Sequence, residues 1–360
     1  MTKTLSDRNR PLDLRAGDWI EVRSREEILA TLDDRGCFEN LPFMPEMLQF
    51  CGQRFRVFKR SDKTCDPAHA PWSIRRMKNS VHLEGVRCVG EYHGGCQAGC
   101  LIWWNEAWLK RADNSEIRSD CLRNTGAQPA ASDGSRTMER VFAATQTINP
   151  GGETVYSCQA TEIRSFSTFM AWWDPRQYIR DFRSGNLDTG HSRGSKSEHI
   201  LDLALVMLQV VGVFLISFFT ERRLLNYPSV AGTIVKTPVE TLDLQAGELV
   251  QVRSKEEIIA TLDKRKQNRG LLFDGEMLPY CGGIYRVLRR VHRIIDENSG
   301  KMRNMKYPCI ILEGVACRSN YHRLCPRAIY HYWRENWLVR VSAVPPLIST
   351  GQVKESCEKA

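Results

Sequence analysis

The sequence predicts a mainly β protein of the α+β class, with two small β modules joined by a mixed central segment. Three observations support this prediction: a domain-sized stretch repeats, its apolar residues alternate as in half-buried strands, and each copy contains a loop rich in Cys and His. The complete loop lies at residues 81–110, and an altered copy lies at residues 310–340. Short strands with glycine turns predict a compact, partly open barrel in each module.

The internal repeat defines the domain organisation. Residues 12–33 match residues 242–263, and residues 43–60 match residues 273–290, at a constant offset. After a one-residue slip the match continues through both cysteine-rich loops. Each copy has the length of a small domain rather than of a solenoid repeat. The predicted units are an N-terminal module at 1–112, an insert at 113–229, a C-terminal module at 230–345 and a flexible tail at 346–360.

Local patterns predict the elements within each module. Residues 18–23 and 53–58 alternate between polar and apolar side chains, which is typical of strands. Ser24 and Glu27 have the spacing of a capping box and predict a short helix between these strands. The alternating strand that follows the Gly17 turn resembles the first strand of SH3-like barrels, and this resemblance implies an SH3-like fold for each module.

The insert has a different character. Residues 113–136 are rich in Ser, Asp, Asn and Gly and predict a linker with at most one short helix. A hairpin is predicted around residues 149–152, and Asp174 with Pro175 can begin a helix. Residues 200–219 predict one long apolar helix that is buried or interfacial. A membrane span is the alternative, and the length of this run is at the lower limit for crossing a bilayer.

Composition and the N-terminal residues bear on the binding partners and the cellular compartment of the protein. The chain has 42% hydrophobic and 26% charged residues and a formal net charge of +9, which permits contact with nucleic acid or anionic lipid without requiring either. The first residues contain no apolar signal core, so we expect a reducing, cytoplasmic location, with membrane association through 200–219 as the alternative. In a reducing compartment, the 13 cysteines favour metal ligation over disulfides.

The complete loop predicts a metal site. Three thiols and one imidazole within a short glycine-containing segment suit a tetrahedral zinc ion, while an iron–sulfur cluster is the alternative cofactor and inert buried thiols the alternative without a metal. The candidate ligands are Cys88, His93, Cys96 and Cys100. The alternative ligands are Cys51, Cys65, Cys121, Cys158, Cys281, Cys317, His322 and Cys325.

The second copy of the loop keeps three of the four candidate ligands. Ile329 stands at the position of Cys100, and Ile295 stands at the position of Cys65. Because both cysteines are replaced together, we expect Cys65 and Cys100 to be neighbours in space. Cys51 is kept in both copies as Cys281, so a cross-strand site with Cys51, Cys88, His93 and Cys96 is a second interpretation.

Aromatic residues cluster beside both loops. Their spacing predicts that they close the core of each barrel, and a groove lined by them is the alternative, which would bind another protein or an extended peptide. These candidate partner-binding residues are Trp103, Trp104, Trp108, Trp333 and Trp337. Basic runs between the strands leave nucleic acid open as a partner.

Several segments together resemble a family of uncharacterised bacterial proteins. The resemblance is carried by GDWIEVRSREEILATLD, HGGCQAGC, YSCQATE, WWDPRQY and YHYWRENWL, which lie along most of the chain. It implies no activity, and the chain contains no P-loop, dinucleotide-binding, zincin or nucleophile-elbow motif. Two functions follow as hypotheses. One is a metal-stabilised tandem-module binding or scaffold protein, and the other is a zinc enzyme with an active N-terminal site and a degenerate C-terminal copy.

Overall fold

The computed structural model describes residues 11–69, 73–112, 133–171, 174–187 and 231–341, and within them the protein is mainly β with antiparallel sheets. This confirms the broad fold class. The described strands are β1 (Trp19–Val22), β2 (Cys37–Phe38), β3 (Leu41–Pro42), β4 (Arg54–Arg60), β5 (Lys63–Cys65), β6 (Ile74–Arg76), β7 (Ser80–Leu83), β8 (Trp104–Asn105), β9 (Leu109–Arg111), β10 (Gln146–Ile148), β11 (Thr154–Tyr156), β12 (Thr168–Met170), β13 (Leu249–Val252), β14 (Gln267–Asn268), β15 (Leu271–Leu272), β16 (Ile284–Ile295), β17 (Met302–Leu312) and β18 (Leu338–Arg340).

Helices in the described residues are short. The α-helices are α1 (Arg25–Leu29), α2 (Asp133–Ala143), α3 (Arg176–Arg183) and α4 (Lys255–Ile259). Short 3₁₀ helices lie at Pro45–Phe50, Glu106–Trp108, Gly275–Tyr280 and Glu335–Trp337.

The two largest sheets have the same arrangement. The N-terminal sheet has the order β8-β7-β4-β1-β9, and the C-terminal sheet has the order β17-β16-β13-β18. In the first, Ile20 of β1 pairs with Phe55 on one side and Arg111 on the other. In the second, Val250 of β13 occupies the equivalent place, between Tyr285 and Arg340. Four strands therefore follow the same order in both sheets, and the N-terminal sheet has β8 as a fifth strand.

Local signals in the sequence are reproduced in the structure. The hydroxyl of Ser24 accepts a hydrogen bond from the Glu27 amide at 3.3 Å, and the Glu27 carboxylate accepts one from the Ser24 amide at 3.1 Å. This is the predicted capping box of α1. The predicted hairpin is present as β10 and β11, and α3 begins directly after Pro175.

Tryptophan side chains fill the core of both sheets. Trp103, Trp104, Trp108, Trp333 and Trp337 are each 0% exposed. The Phe43 ring meets Trp108 edge-on at 5.3 Å in the N-terminal core, and Phe273 meets Trp337 at 5.4 Å in the C-terminal core. The alternative assignment of these five tryptophans to a partner-binding groove is therefore wrong, because a fully buried side chain cannot contact a partner on the folded surface.

The insert packs against both modules where the structure describes it. Strand β12 pairs with β6 to form the sheet β12-β6-β5, and Val155 of β11 forms a bridge with Lys301 at the start of β17. Helix α2 begins inside the predicted linker. The predicted apolar helix at 200–219 and Cys121 lie outside the described residues. Among the residues that are described, no helix combines the length and apolarity needed to span a membrane.

A buried carboxylate ties each sheet to the segment that precedes it. The Glu106 carboxylate accepts hydrogen bonds from the Leu12 amide at 2.8 Å and the Leu14 amide at 2.9 Å. It also accepts one from the Arg60 guanidinium at 2.6 Å, and both side chains are almost fully buried. Glu335 is the centre of the same arrangement, with Leu242, Leu244 and Arg290.

We predict that Glu106→Ala lowers the stability of the N-terminal module by about 3–5 kcal/mol, because it leaves the buried Arg60 charge without its closest partner. Hydrogen exchange of the β1 and β9 amides in urea measures this loss locally. The control is Asp13→Asn, which alters another carboxylate near Arg60, at 3.8 Å but 82% exposed. It should cost less than about 1 kcal/mol, and equal effects of the two changes would contradict the prediction.

Candidate metal centre

One pair of predicted ligands, Cys88 and His93, forms a buried cluster with a third group. Cys88 follows β7, and its amide donates to the Cys100 carbonyl at 2.8 Å, which closes the base of the loop. His93 lies in the following turn, where its amide donates to the carbonyl of Gly90. Gly90 has a φ of +71°, and a Cβ there would lie 2.0 Å from the Cys96 carbonyl oxygen, so only glycine fits this turn.

The third group is the Glu46 carboxylate, supplied by the 3₁₀ helix Pro45–Phe50. Its Oε1 lies 2.6 Å from His93 Nδ1 and 4.0 Å from Cys88 Sγ. The three ligand atoms of Glu46, Cys88 and His93 lie within 4.8 Å of one another. A carboxylate oxygen, an imidazole nitrogen and a thiol sulfur therefore converge on one buried point, which is a donor set that zinc accepts.

Both ring nitrogens of His93 face oxygen atoms, an arrangement that suits a cation between His93 and Glu46. Its Nε2 lies 3.0 Å from the Ser157 carbonyl oxygen, which can only accept a hydrogen bond. With the proton on Nε2, Nδ1 presents a lone pair to the Glu46 carboxylate, so a proton or a metal ion must lie between them. A carbonyl that holds the second nitrogen of a histidine is also the usual outer partner of a metal-bound imidazole.

Burial disfavours an isolated negative charge at the cluster. Glu46 Oε2 is buried without a hydrogen-bond partner among the described residues. Burial, followed by the charge of Glu46, raises the pKa of the Cys88 thiol far above its ordinary value. A bound cation would reverse this effect and stabilise both the thiolate and the carboxylate.

The C-terminal module contains the same triad. Glu276, Cys317 and His322 also place their ligand atoms within 4.8 Å of one another. Cys317 Sγ lies 3.5 Å from His322 Nδ1, and the Tyr321 amide donates to Glu276 Oε1 at 2.5 Å. Burial raises the pKa of the Glu276 carboxyl and raises that of the Cys317 thiol to about 12. Both modules therefore combine a carboxylate, a thiol and an imidazole in one cluster.

The other two predicted ligands lie beside the first triad but outside it. Cys96 and Cys100 line a cavity of about 30 Å³ together with Cys88, His93 and Cys158. Burial raises the pKa of the Cys100 thiol to about 12 and that of the Cys158 thiol to about 11. Among the described residues, neither Cys96 nor Cys100 belongs to a group of three candidate ligands within 4.8 Å. The set of four ligands predicted from the loop alone is therefore only half assembled.

The cross-strand alternative is not assembled either. Cys51 packs against the N-terminal core. Burial raises the pKa of its thiol to about 11, and the nearby charges are those of Arg25 and Glu26. Cys281 has an equivalent environment near Lys255 and Glu256. Neither cysteine belongs to a triad in the described residues. These two cysteines pack as small apolar side chains.

Cys65 contacts a cysteine of the other module. Its amide donates to Cys325 Sγ of the other module at 3.0 Å, and both cysteines are buried in a cluster against which Ile329 packs. At the equivalent place the Ile295 amide donates to Cys96 Sγ at 3.4 Å, and Ile295 lines the cavity with Cys100. The contacts of Cys65 described here therefore run across the interface between the modules, and its expected proximity to Cys100 stays a prediction.

The residues that sequence reasoning missed are Glu46 and Glu276. Both lie in a Glu-Met-Leu segment that the repeat keeps, within the 3₁₀ helices Pro45–Phe50 and Gly275–Tyr280. Their side chains are almost completely buried, at 2% and 0% exposure. A carboxylate kept at matching positions between apolar residues was the available signal, because buried carboxylates need a partner.

The comparisons with known proteins add no relationship: the chain matches no protein-family model, no curated protein and no solved structure. The interpretation of the site therefore depends on its own geometry.

We predict that Cys65→Ile destabilises the protein by about 1–3 kcal/mol through overpacking, and that adding Ile329→Cys recovers part of the loss. The double variant recreates the opposite cluster, which has one isoleucine and two cysteines. Chemical denaturation of the unchanged protein, the two single variants and the double variant should give a coupling energy of at least about 0.5 kcal/mol between the two positions. As a control, Cys65→Ile combined with Ile148→Cys, at an exposed hairpin position, should be additive. Additivity in both pairs would contradict the assignment.

Proposed function

We propose that this protein is a metal-stabilised binding or scaffold protein, in which tandem SH3-like modules each hold one cation. Glu46, Cys88 and His93 bind the first ion, and their counterparts Glu276, Cys317 and His322 bind the second. The observation that carries the proposal is the repetition of one carboxylate–thiol–imidazole triad, with a buried carboxylate, in both modules. Membership of the uncharacterised bacterial family and a cytoplasmic location belong to the same proposal.

Zinc is the metal that the donor set favours. A thiolate and an imidazole suit a borderline-soft ion, whereas Ca²⁺ and Mg²⁺ prefer oxygen ligands alone. Both carboxylates are buried, and Glu46 Oε2 and Glu276 Oε2 have no hydrogen-bond partner among the described residues. A cation would compensate both carboxylates, which otherwise cost free energy in the interior.

A structural role follows from where the ligands come from. Glu46 belongs to a 3₁₀ helix before β4, whereas Cys88 and His93 belong to the loop after β7. An ion held by both segments would fasten the loop to the sheet and contribute to folding. Two modules stabilised in this way form a rigid frame, which is what a binding or scaffold protein needs, and another protein is the proposed partner.

We predict two zinc ions per chain after purification without chelator, measured by plasma emission spectrometry together with protein quantification. Glu46→Gln combined with Cys88→Ser should remove one ion, and Glu276→Gln combined with Cys317→Ser should remove the other. Stripping with a chelator should lower stability by about 4 kcal/mol per site if free zinc had been about 1,000 times the Kd.

The matched controls are Cys51→Ser and Cys281→Ser, which change partly buried thiols outside the triads. Both variants should keep two ions per chain, because their thiols contact neither triad. A metal-free preparation with unchanged thermal stability would contradict the proposal. So would loss of zinc from the control variants while the triad variants keep it.

A zinc enzyme with its active site in the N-terminal module is the second candidate function. One observation favours it: the N-terminal triad borders a cavity, which Cys88 and His93 line with Cys96, Cys100 and Cys158. Catalytic zinc needs a coordination position that a substrate or water can reach, and a cavity next to the ligands could provide it.

We predict that the two functions differ in how cobalt-substituted protein responds to azide. Under the enzyme hypothesis, the visible spectrum of Co²⁺ in the N-terminal site shifts on azide addition, because an open position accepts the anion. Under the structural hypothesis, neither site responds. Single-site variants, each with one triad disrupted, assign the response to a module, and a shift arising only from the C-terminal site would contradict both.

A further inference from the structure

A second cavity lies away from both triads, between the insert and the N-terminal module. It has a volume of about 80 Å³ and is formed where helix α3 packs against the start of β5 and the end of β6. Six charged side chains line it: Asp62, Lys63, Arg76, Arg176, Arg180 and Asp181. Four of these are cations and two are anions, so the lining itself has a formal charge of +2.

The floor of this cavity is a buried ion pair. Lys63 Nζ contacts the Asp181 carboxylate, and the two side chains are only 2% and 5% exposed. Asn186 donates to Asp181 Oδ1 at 3.3 Å, and the Tyr178 ring centroid lies 4.9 Å from Lys63 Nζ. Burial lowers the pKa of Lys63, while the charge of Asp181 opposes that shift. The Lys63–Asp181 pair is therefore neutral as a unit. The net positive charge of the cavity comes from the side chains at its rim.

The rim consists of three arginines with few carboxylate partners. Arg76 and Arg176 share Asp174, with N–O distances of 3.1 and 2.8 Å. Arg180 has a 3.6 Å contact with Asp62, a carboxylate that also accepts a hydrogen bond from Arg60 at 2.7 Å. Because each guanidinium carries five N–H groups, these contacts use only part of the donors at the rim.

The three rim side chains also remain accessible. Arg76, Arg176 and Arg180 are 43%, 77% and 57% exposed. Counting Asp174 with the lining carboxylates still leaves one net positive charge among the described residues around the cavity. Guanidinium groups on the strand side and on the helix side of the cavity can therefore bind different oxygens of one anion, which suits a tetrahedral oxyanion better than a halide.

We propose that this cavity binds a phosphate group, either as inorganic phosphate or as the terminal group of a small phosphomonoester. Arg76 and Arg180 hold the phosphate oxygens from opposite walls, and Arg176 adds charge at the mouth. The buried Lys63–Asp181 pair keeps β5 and α3 at a fixed distance, so the two arginines are positioned before the anion arrives. This site is independent of the metal centres.

The test is calorimetric titration of the full chain at low ionic strength with inorganic phosphate, methyl phosphate and acetate. We expect saturable binding of at least one phosphate compound and at least tenfold weaker binding of acetate. Tighter binding of methyl phosphate identifies a phosphomonoester as the ligand class, and tighter binding of inorganic phosphate identifies the free ion. Absence of saturable binding for both phosphate compounds would overturn the proposal.

Variants locate the site. Arg76→Ala combined with Arg180→Ala should weaken phosphate binding at least tenfold, and Arg76→Lys with Arg180→Lys should weaken it less, because the charge is kept and only the paired N–H groups are lost. Arg183→Ala is the matched control, an exposed arginine on the same helix that does not line the cavity. Circular dichroism and thermal melts confirm that each variant is folded. Equal weakening by the control, or unchanged binding in the double alanine variant, would overturn the assignment.

Discussion

The buried carboxylate of Glu106 is the contact on which the N-terminal module depends. It joins the segment before β1, the end of β4 and the 3₁₀ helix between β8 and β9. Without it, the amides of Leu12 and Leu14 and the guanidinium of Arg60 would lose an acceptor in the interior, and each loss is costly there. The loop that carries Cys88 and His93 runs from the end of β7 to the start of β8, so this contact also determines where the loop ends.

The metal centre is built on that frame from two distant parts of the chain. Cys88 and Glu46 are separated by 42 residues and meet only when the loop folds over the 3₁₀ helix. The loop is closed at its base by the Cys88–Cys100 hydrogen bond and by a bridge between Arg87 and Leu101. A cation bound there would therefore stabilise the closed arrangement relative to the open one, because the ligands converge only in the folded state.

How much could be predicted from the sequence depends on the range of each interaction. The capping box of α1, the alternation of β1 and the hairpin of β10 and β11 are set by residues within a few positions of one another, and all three were predicted correctly. The partner of His93 was not, because Glu46 lies far away in the chain and resembles any polar residue of a short helical turn. SH3-like geometry within each module stays a prediction.

The contacts of Cys65 show a second limit of reasoning from the sequence. Joint replacement of Cys65 and Cys100 by isoleucine predicts a shared contact. The contact that the structure gives for Cys65 is with Cys325 of the other module, 260 residues away in the chain. When a contact runs between two copies of a repeat, a residue of one copy meets a residue of the other copy and not the corresponding residue of its own copy. The comparison of modules therefore singled out Cys65 correctly but did not identify Cys325 as its hydrogen-bond partner.

This contact between modules changes the interpretation of the two metal triads. Three positions at one interface cluster, Cys65, Cys325 and Ile329, correspond in the repeat to Ile295, Cys96 and Cys100 at the other, so each set of three has two cysteines and one isoleucine. The paired contacts are those of an isologous interface, in which the same surface meets itself. Ile329 thus replaces Cys100 as part of the packing between modules, while the Glu276, Cys317 and His322 triad keeps every ligand. The missing cysteine is then no sign that the C-terminal site has decayed, which favours two cation sites over one active and one degenerate copy.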